Sequence, residues 1–151
     1  MALVKFEDCT IVGRNFSGSR FKGGDRSFCL VLEDEVVVDQ LARDGWNIRE
    51  RDTDDGDKIY YLPVAIRFDK FPPEVFVILE NGRKIEITED NESFLDKLDD
   101  NLRVTSVDCV VNGSKWTDDD GDVKVKAWLR TGYFTVESTD PFAEKHGKFD
   151  D

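Results

Sequence analysis

Histidine is almost missing from this chain. His146 is the one example among 151 residues, so no His-based triad, general base or zinc cage can be assembled. Cysteine is scarce too: Cys9, Cys29 and Cys109 are odd in number, widely spaced and set in strand-like sequence, which predicts reduced core residues rather than disulfides or a metal knot. No stretch approaches the roughly 18 apolar residues that span a bilayer, and Met1–Val12 mixes acids into its apolar pattern. The expectation is a soluble cytoplasmic protein with no membrane partner. Internal repeats and low-complexity linkers are absent, and the apolar and charged fractions are those of a globular chain. The sequence therefore predicts one domain, 1–136, followed by a short acidic tail, 137–151, in a monomer or small oligomer.

The formal net charge is -12, yet positive charge gathers in two segments. Between Thr10 and Phe28, Arg14, Arg20, Lys22 and Arg26 face one acid, Asp25. Between Val123 and Val136, Lys124, Lys126 and Arg130 face none. Such asymmetry predicts one oriented binding face on a body that repels competing polyanions. In the second segment the chain alternates with a period of two: Lys124, Lys126, Trp128 and Arg130 fall on one side of a strand, and Val123, Val125, Ala127 and Leu129 on the other. An apolar face thus backs a basic, aromatic one that suits a polyanion with flat rings. The competing reading is a solvated strand whose lysines guard an edge.

Seven segments rich in Val, Ile, Phe and Tyr predict strands: Leu3–Val12, Ser27–Leu32, Ile59–Phe68, Glu74–Leu79, Lys84–Ile87, Val104–Val111 and Val123–Val136. Asp55-Gly56 and Asp120-Gly121 are hairpin signals. Two helices fit. One runs from about Asp34 to Asp44, with Val37, Val38, Leu41 and Ala42 on one face and Gly45 as its stop. The other is short, capped by Thr88, and buries Phe94, Leu95 and Leu98. Many short strands with one or two helices describe a mainly β chain, either a closed or partly open antiparallel barrel or a sandwich.

Enzyme motifs fail one by one. Gly18 and Gly23 have P-loop spacing, but Gly24-Asp25 follows where Lys and Ser or Thr must hold phosphate and magnesium. The segment reads instead as a glycine-rich β-loop whose Arg20, Phe21 and Lys22 suit closure over a nucleic-acid backbone, or as a plain hairpin. The acidic clusters Asp52, Asp54, Asp55, Asp57 and Asp118, Asp119, Asp120, Asp122 invite a calcium reading. Aligning Gly121 or Gly56 to the glycine of an EF-hand loop puts Trp116 or Arg51 in the first ligand position and Ala127 or Leu62 in the twelfth, so both lack essential ligands. Solvated hairpin tips describe them better. The chain is therefore expected to have no catalytic residues, no metal and no cofactor, and a carboxylate-only nuclease has no positive support.

The order Arg14-Asn15-Phe16, a glycine-rich loop, Asp25-Arg26-Ser27-Phe28, a helix ending in Gly45-Trp46-Asn47, Pro72-Pro73, Val107-Asp108, Trp116 and Val125-Lys126-Ala127-Trp128-Leu129 with Tyr133 resembles small bacteriophage OB-fold single-stranded DNA-binding proteins. The resemblance spans roughly Phe6 to Phe142. Two features depart from the pattern: Asn112-Gly113-Ser114-Lys115 replaces a more apolar approach to Trp116, and Lys124 stands where glycine is usual. Both lysines add positive charge.

The resemblance implies an OB-like, partly open barrel that holds single-stranded DNA in a cationic groove lined by aromatic rings. Its phosphate candidates are Arg14, Arg20, Lys22, Arg26, Lys115, Lys124, Lys126 and Arg130. Its stacking candidates are Phe16, Phe21, Trp116, Trp128 and, less directly, Tyr61, with Phe16 and Trp116 equally readable as core. Trp46 and Phe28 read as packing residues. The tail, with Phe149, Asp150 and Asp151 at its end, resembles the tails through which replication-type single-strand binders recruit replication or recombination proteins and compete with DNA. Two rivals stand beside this reading: a phage inhibitor mimicking DNA toward a host protein, and a metal-dependent nuclease.

Overall fold

The computed structural model describes residues 2–18, 25–69, 72–100 and 102–138. Arg20, Phe21, Lys22, Phe149, Asp150 and Asp151 lie outside the described residues. Among the described residues nine strands form one mixed sheet: β1 (Ala2–Cys9), β2 (Ile11–Asn15), β3 (Arg26–Leu32), β4 (Arg49–Asp52), β5 (Lys58–Ile66), β6 (Glu74–Ile78), β7 (Lys84–Ile87), β8 (Leu102–Thr117) and β9 (Val123–Ser138). Helix α1 (Glu35–Arg43) joins β3 to β4, and a 3-10 turn at Glu92–Asp96 runs into α2 (Lys97–Asp100). The path β1-β8-β9-β5-β3-β2 does not close among the described residues, leaving an open barrel. Most ladders are antiparallel, but β9 pairs in parallel with β5 near Ala127 and with β6 from Thr131 onward. One strand thereby stitches both halves of the sheet together. Among the described residues no helix is long and apolar enough to cross a membrane.

The predicted strands are present, with instructive differences. Leu3–Val12, read as one strand, is two, divided at Thr10; within β1 Asp8 takes a positive φ of 52° and donates its N–H to Asp108 Oδ1 at 2.7 Å, and the pairing with β8 slips between Phe6 and Cys9. Strand β4, sequence RERD, is exposed at every position and carries no alternation by which to be seen. The second helix begins at Glu92, later than expected. Thr88 belongs to the preceding turn, where Asn91 Oδ1 accepts its N–H and Thr88 Oγ1 accepts from Asp90. Leu95 and Leu98 are fully buried, while Phe94 is half-buried.

Phe16, Phe28 and Phe134 fill the core's centre at 0% exposure, with ring centroids 5.2 to 5.6 Å apart. Burial of each such ring is worth about 1.5–3 kcal/mol. Phe16 therefore follows the core reading that the sequence left open, and its ring is not available as a stacking face. Its N–H and that of Ser17 donate to Asp99 of α2, which keeps this turn folded inward.

Helix α1 matters most for the site. Asp34 caps it by accepting the Val36 N–H at 2.9 Å. At its other end Gly45, at φ 92°, donates to the Ala42 carbonyl and Trp46 donates to that of Leu41, a doubly bonded helix stop that only a left-handed residue permits. The Gly45 carbonyl then accepts the Val125 N–H at 2.9 Å, and Trp46 bridges Val125 in parallel. The helix end is thus fastened to the start of β9.

Candidate nucleic-acid interface

Strands β8 and β9 form a long hairpin in which Trp116 lies opposite Lys124, Ser114 opposite Lys126, and Asn112 opposite Trp128. Cross-strand partners share a face, so both tryptophans and both lysines project from one side. Beneath them Val125, Ala127 and Leu129 are buried, as the alternation requires. Val123, expected on that inner side, is 55% exposed because it sits beside the hairpin tip, paired with Thr117. Trp116 is 52% exposed, which makes it an open ring rather than a core residue.

The fastening of α1 onto β9 converts this face into an open groove of about 990 Å³. Its lining includes Ala42, Gly45, Asn47, Ile48 and Arg49 at and after the end of α1, Trp116, Lys124, Lys126 and Trp128 of the hairpin, and Pro63, Val64 and Ala65 of β5. Trp46, 6% exposed, forms floor rather than a free ring, as its packing assignment foresaw. Gly113 lies against it: a Cβ there would meet Trp46 Cζ2 at 2.7 Å, which accounts for glycine in the stretch that departs from the family pattern. The lining carries three described cations, Arg49, Lys124 and Lys126, against one acid, Asp25. That local excess contrasts with the net charge of -12 on the whole chain.

Trp128 is dressed by cations. Lys126 Nζ lies 4.4 Å from its ring centroid and the Arg67 guanidinium carbon 5.9 Å, distances that allow cation–π attraction. Arg67 is held by Asp69 through two hydrogen bonds of 3.0 and 2.7 Å. This carboxylate, with a smaller contribution from Asp25, raises the Arg67 pKa.

Other predicted cations are placed elsewhere. Arg14 donates to the Leu98 carbonyl at 3.1 Å, and Arg26 donates to the Phe16 carbonyl at 2.7 Å while pairing with Asp96 and, at 4.0 Å, with Glu92. Both brace β2 and β3 against the α2 segment and neither lines the groove, which sets these two phosphate candidates apart from Lys124 and Lys126. Lys115 and Arg130 are exposed but outside the lining; Arg130 is the extra residue of a bulge between Leu129 and Thr131. Tyr61 is half-buried on β5 opposite Arg49. Arg49 and Arg67 were not legible as site residues, since one lies on the patternless β4 and the other just past the end of β5.

The acidic clusters are hairpin tips. Asp118 Oδ1 accepts the N–H groups of Asp120 and Asp122 at 3.0 and 2.9 Å, and Gly56 and Gly121 turn the chain at φ 84° and 86°. Cys9, Cys29 and Cys109 remain thiols, although only Cys109 is fully buried. Burial pushes the Cys109 thiol up to about 12, and burial, then Asp108, raise that of Cys9. Neither is a thiolate nucleophile at neutral pH.

A family model describing a phage ssDNA-binding domain matches residues 1–149. Among solved structures, the C-terminally truncated single-stranded DNA-binding protein of bacteriophage Enc34 is similar, with a TM-score of 0.53 at 11% identity, over 91% of this chain and 87% of that one. The single-stranded DNA-binding protein gp2.5 of bacteriophage T7 is similar with a TM-score of 0.50 at 10% identity, over 99% of this chain and 96% of that one. At such identities the likeness speaks for the fold. No curated protein sequence matches the chain.

Proposed function

The chain belongs to the phage ssDNA-binding domain family, and from that premise we propose that it binds single-stranded DNA along the β9 groove without strong sequence preference. The observation that carries this reading is the shared face of Trp116, Lys124, Lys126 and Trp128 on the β8–β9 hairpin, walled by the end of α1. Rings take bases by stacking, worth about 1–3 kcal/mol per base whatever its identity, while lysine and arginine follow the phosphates. Arg49 and Arg67 join the lysines in that role, and Arg130, on the bulge of β9, adds positive charge beyond the groove. Arg20, Phe21 and Lys22, in the glycine-rich segment just before Asp25, supply a second set of contacts.

The acidic surface outside the groove is what a DNA mimic would use, but the groove itself has the opposite sign. The biological role that follows is protection of single strands during phage replication or recombination in the host cytoplasm. The acidic segment 137–151, with Phe149, Asp150 and Asp151, recruits replication or recombination proteins.

Fluorescence anisotropy with labelled single-stranded, duplex and RNA oligonucleotides, with and without magnesium, tests this. Single strands should bind much more tightly than duplex of equal length, because paired bases cannot offer their faces to a ring. Affinity should fall with salt at a log-log slope near -0.7 per phosphate neutralised. Equal affinity for single strands and duplex would defeat the stacking mechanism, and magnesium-dependent degradation would reinstate a nuclease.

A further inference from the structure

Asp25 is the one carboxylate among the described groove-lining residues, and it is not placed at random. Its Oδ2 lies 3.5 Å from Lys126 Nζ and its Oδ1 3.9 Å from Arg67 Nε, the two cations that flank Trp128. Lys126 in turn lies over the Trp128 ring. Both contacts a nucleotide would need are therefore already occupied from within the protein. A carboxylate stands where a phosphate would meet Lys126 and Arg67, and an ammonium stands on the ring where a base would stack.

Resting on the single-strand reading above, we propose that Lys126, Arg67 and Trp128 form one nucleotide subsite, and that Asp25 closes it in the free protein as an internal substitute for the phosphodiester. Two terminal anionic oxygens make a carboxylate a fair copy of a phosphodiester toward ammonium and guanidinium groups. On binding, the phosphate replaces Asp25 at Lys126 and Arg67, drawing Lys126 off the ring, and the base takes the vacated face of Trp128. Asp69 keeps its two hydrogen bonds to Arg67 and so holds the guanidinium beside the ring in both states. The device favours ligands that bring phosphate and unpaired base together, because neither alone compensates both displaced contacts. The Asp25 side chain is 34% exposed, so its hold on Lys126 is that of a partly solvated pair and is weak enough to be exchanged.

The test compares wild type, Asp25→Asn and Asp25→Ser for binding of a labelled oligothymidylate at several salt concentrations, with thermal melting to verify folding. Asp52→Asn, on β4 outside the groove lining, controls for net charge. Removing the Asp25 charge should tighten binding about two- to fivefold, the scale of a partly exposed ion pair. The salt slope should steepen by up to about 0.7, and Asp52→Asn should have less effect. In a Lys126→Gln background the gain should largely vanish. Equal gains from Asp25→Asn and Asp52→Asn, no gain, or a gain that persists without Lys126 would each overturn the subsite. If folded wild type and variants all fail to bind the oligonucleotide, the single-strand reading itself fails and the subsite with it.

Discussion

Trp128 lines the groove and Phe16 sits in the core, and substitution should separate them. Trp128→Ala should weaken single-strand binding by about 1–3 kcal/mol while leaving the melting curve nearly unchanged, and the wild-type protein should show tryptophan quenching on binding. Phe16→Ala, which removes a ring packed between Phe28 and Phe134, should lower stability by about 3–5 kcal/mol in denaturant titration. The sequence set both among candidate stacking residues, because an aromatic beside arginine or lysine looks alike whether its ring faces in or out. Only Trp128 also had the period-two neighbours that assign a side. Cys109 makes a third residue-scale prediction. Its thiol stays protonated in the fold to about pH 12, against an ordinary value of 9.0, so between these values the unfolded chain binds fewer protons than the folded one. Stability should be fully retained below about pH 9 and fall as pH rises toward 12. Cys109→Ala should show less of this alkaline loss in melts across that range.

At the scale of elements, the groove depends on how α1 ends. Gly45 combines φ 92° with a position where a Cβ would stand 2.8 Å from the Val123 carbonyl oxygen. Gly56, at φ 84°, has nothing within 4 Å of the same Cβ. A left-handed conformation costs a non-glycine residue about 1–2 kcal/mol. Gly56→Ala should lose roughly that amount in stability, and Gly45→Ala should lose more, together with single-strand affinity, since the clash pushes the helix end away from β9. Chemical denaturation and oligonucleotide titration of the two variants check this. The stop at Gly45 was legible because glycine after a helical run has a backbone reason to be there. Its docking onto Val125 was not, because residues eighty positions apart carry no shared local pattern. The same limit hid β4, which is exposed on all sides, and put the second helix too early, since Thr88 looks like a cap but spends its groups on a turn.

For the whole molecule, charge is the organising quantity. A body of net charge -12 whose groove lining carries three described cations against one acid should admit a flexible single strand and turn away other polyanions. The segment 137–151 holds Glu137, Asp140, Glu144, Asp150 and Asp151 against Lys145 and Lys148. If this charge competes for the groove, deleting 145–151 should raise single-strand affinity, most clearly at low salt where screening is weak. Unchanged or weaker binding after deletion at both low and high salt would reject self-competition, while a pull-down with Phe149→Ala asks separately about recruited proteins.

By itself the sequence determined the mainly β class, the stop of α1, both aspartate-glycine hairpins and the inner and outer sides of β9. Each is dictated by backbone propensity or by alternation within a few residues, and such signals survive without knowledge of the rest of the chain. The tertiary structure alone decided which cations line the groove. Arg14 and Arg26 have the same local character as Lys124 and Lys126, yet Leu98, Phe16, Asp96 and Glu92 claim them on the α2 side. It also brought Arg49, Arg67 and Asp25 to the tryptophans. Long-range strand pairing chooses a charged side chain's partners, and no feature of the flanking residues announces which partner that pairing will bring.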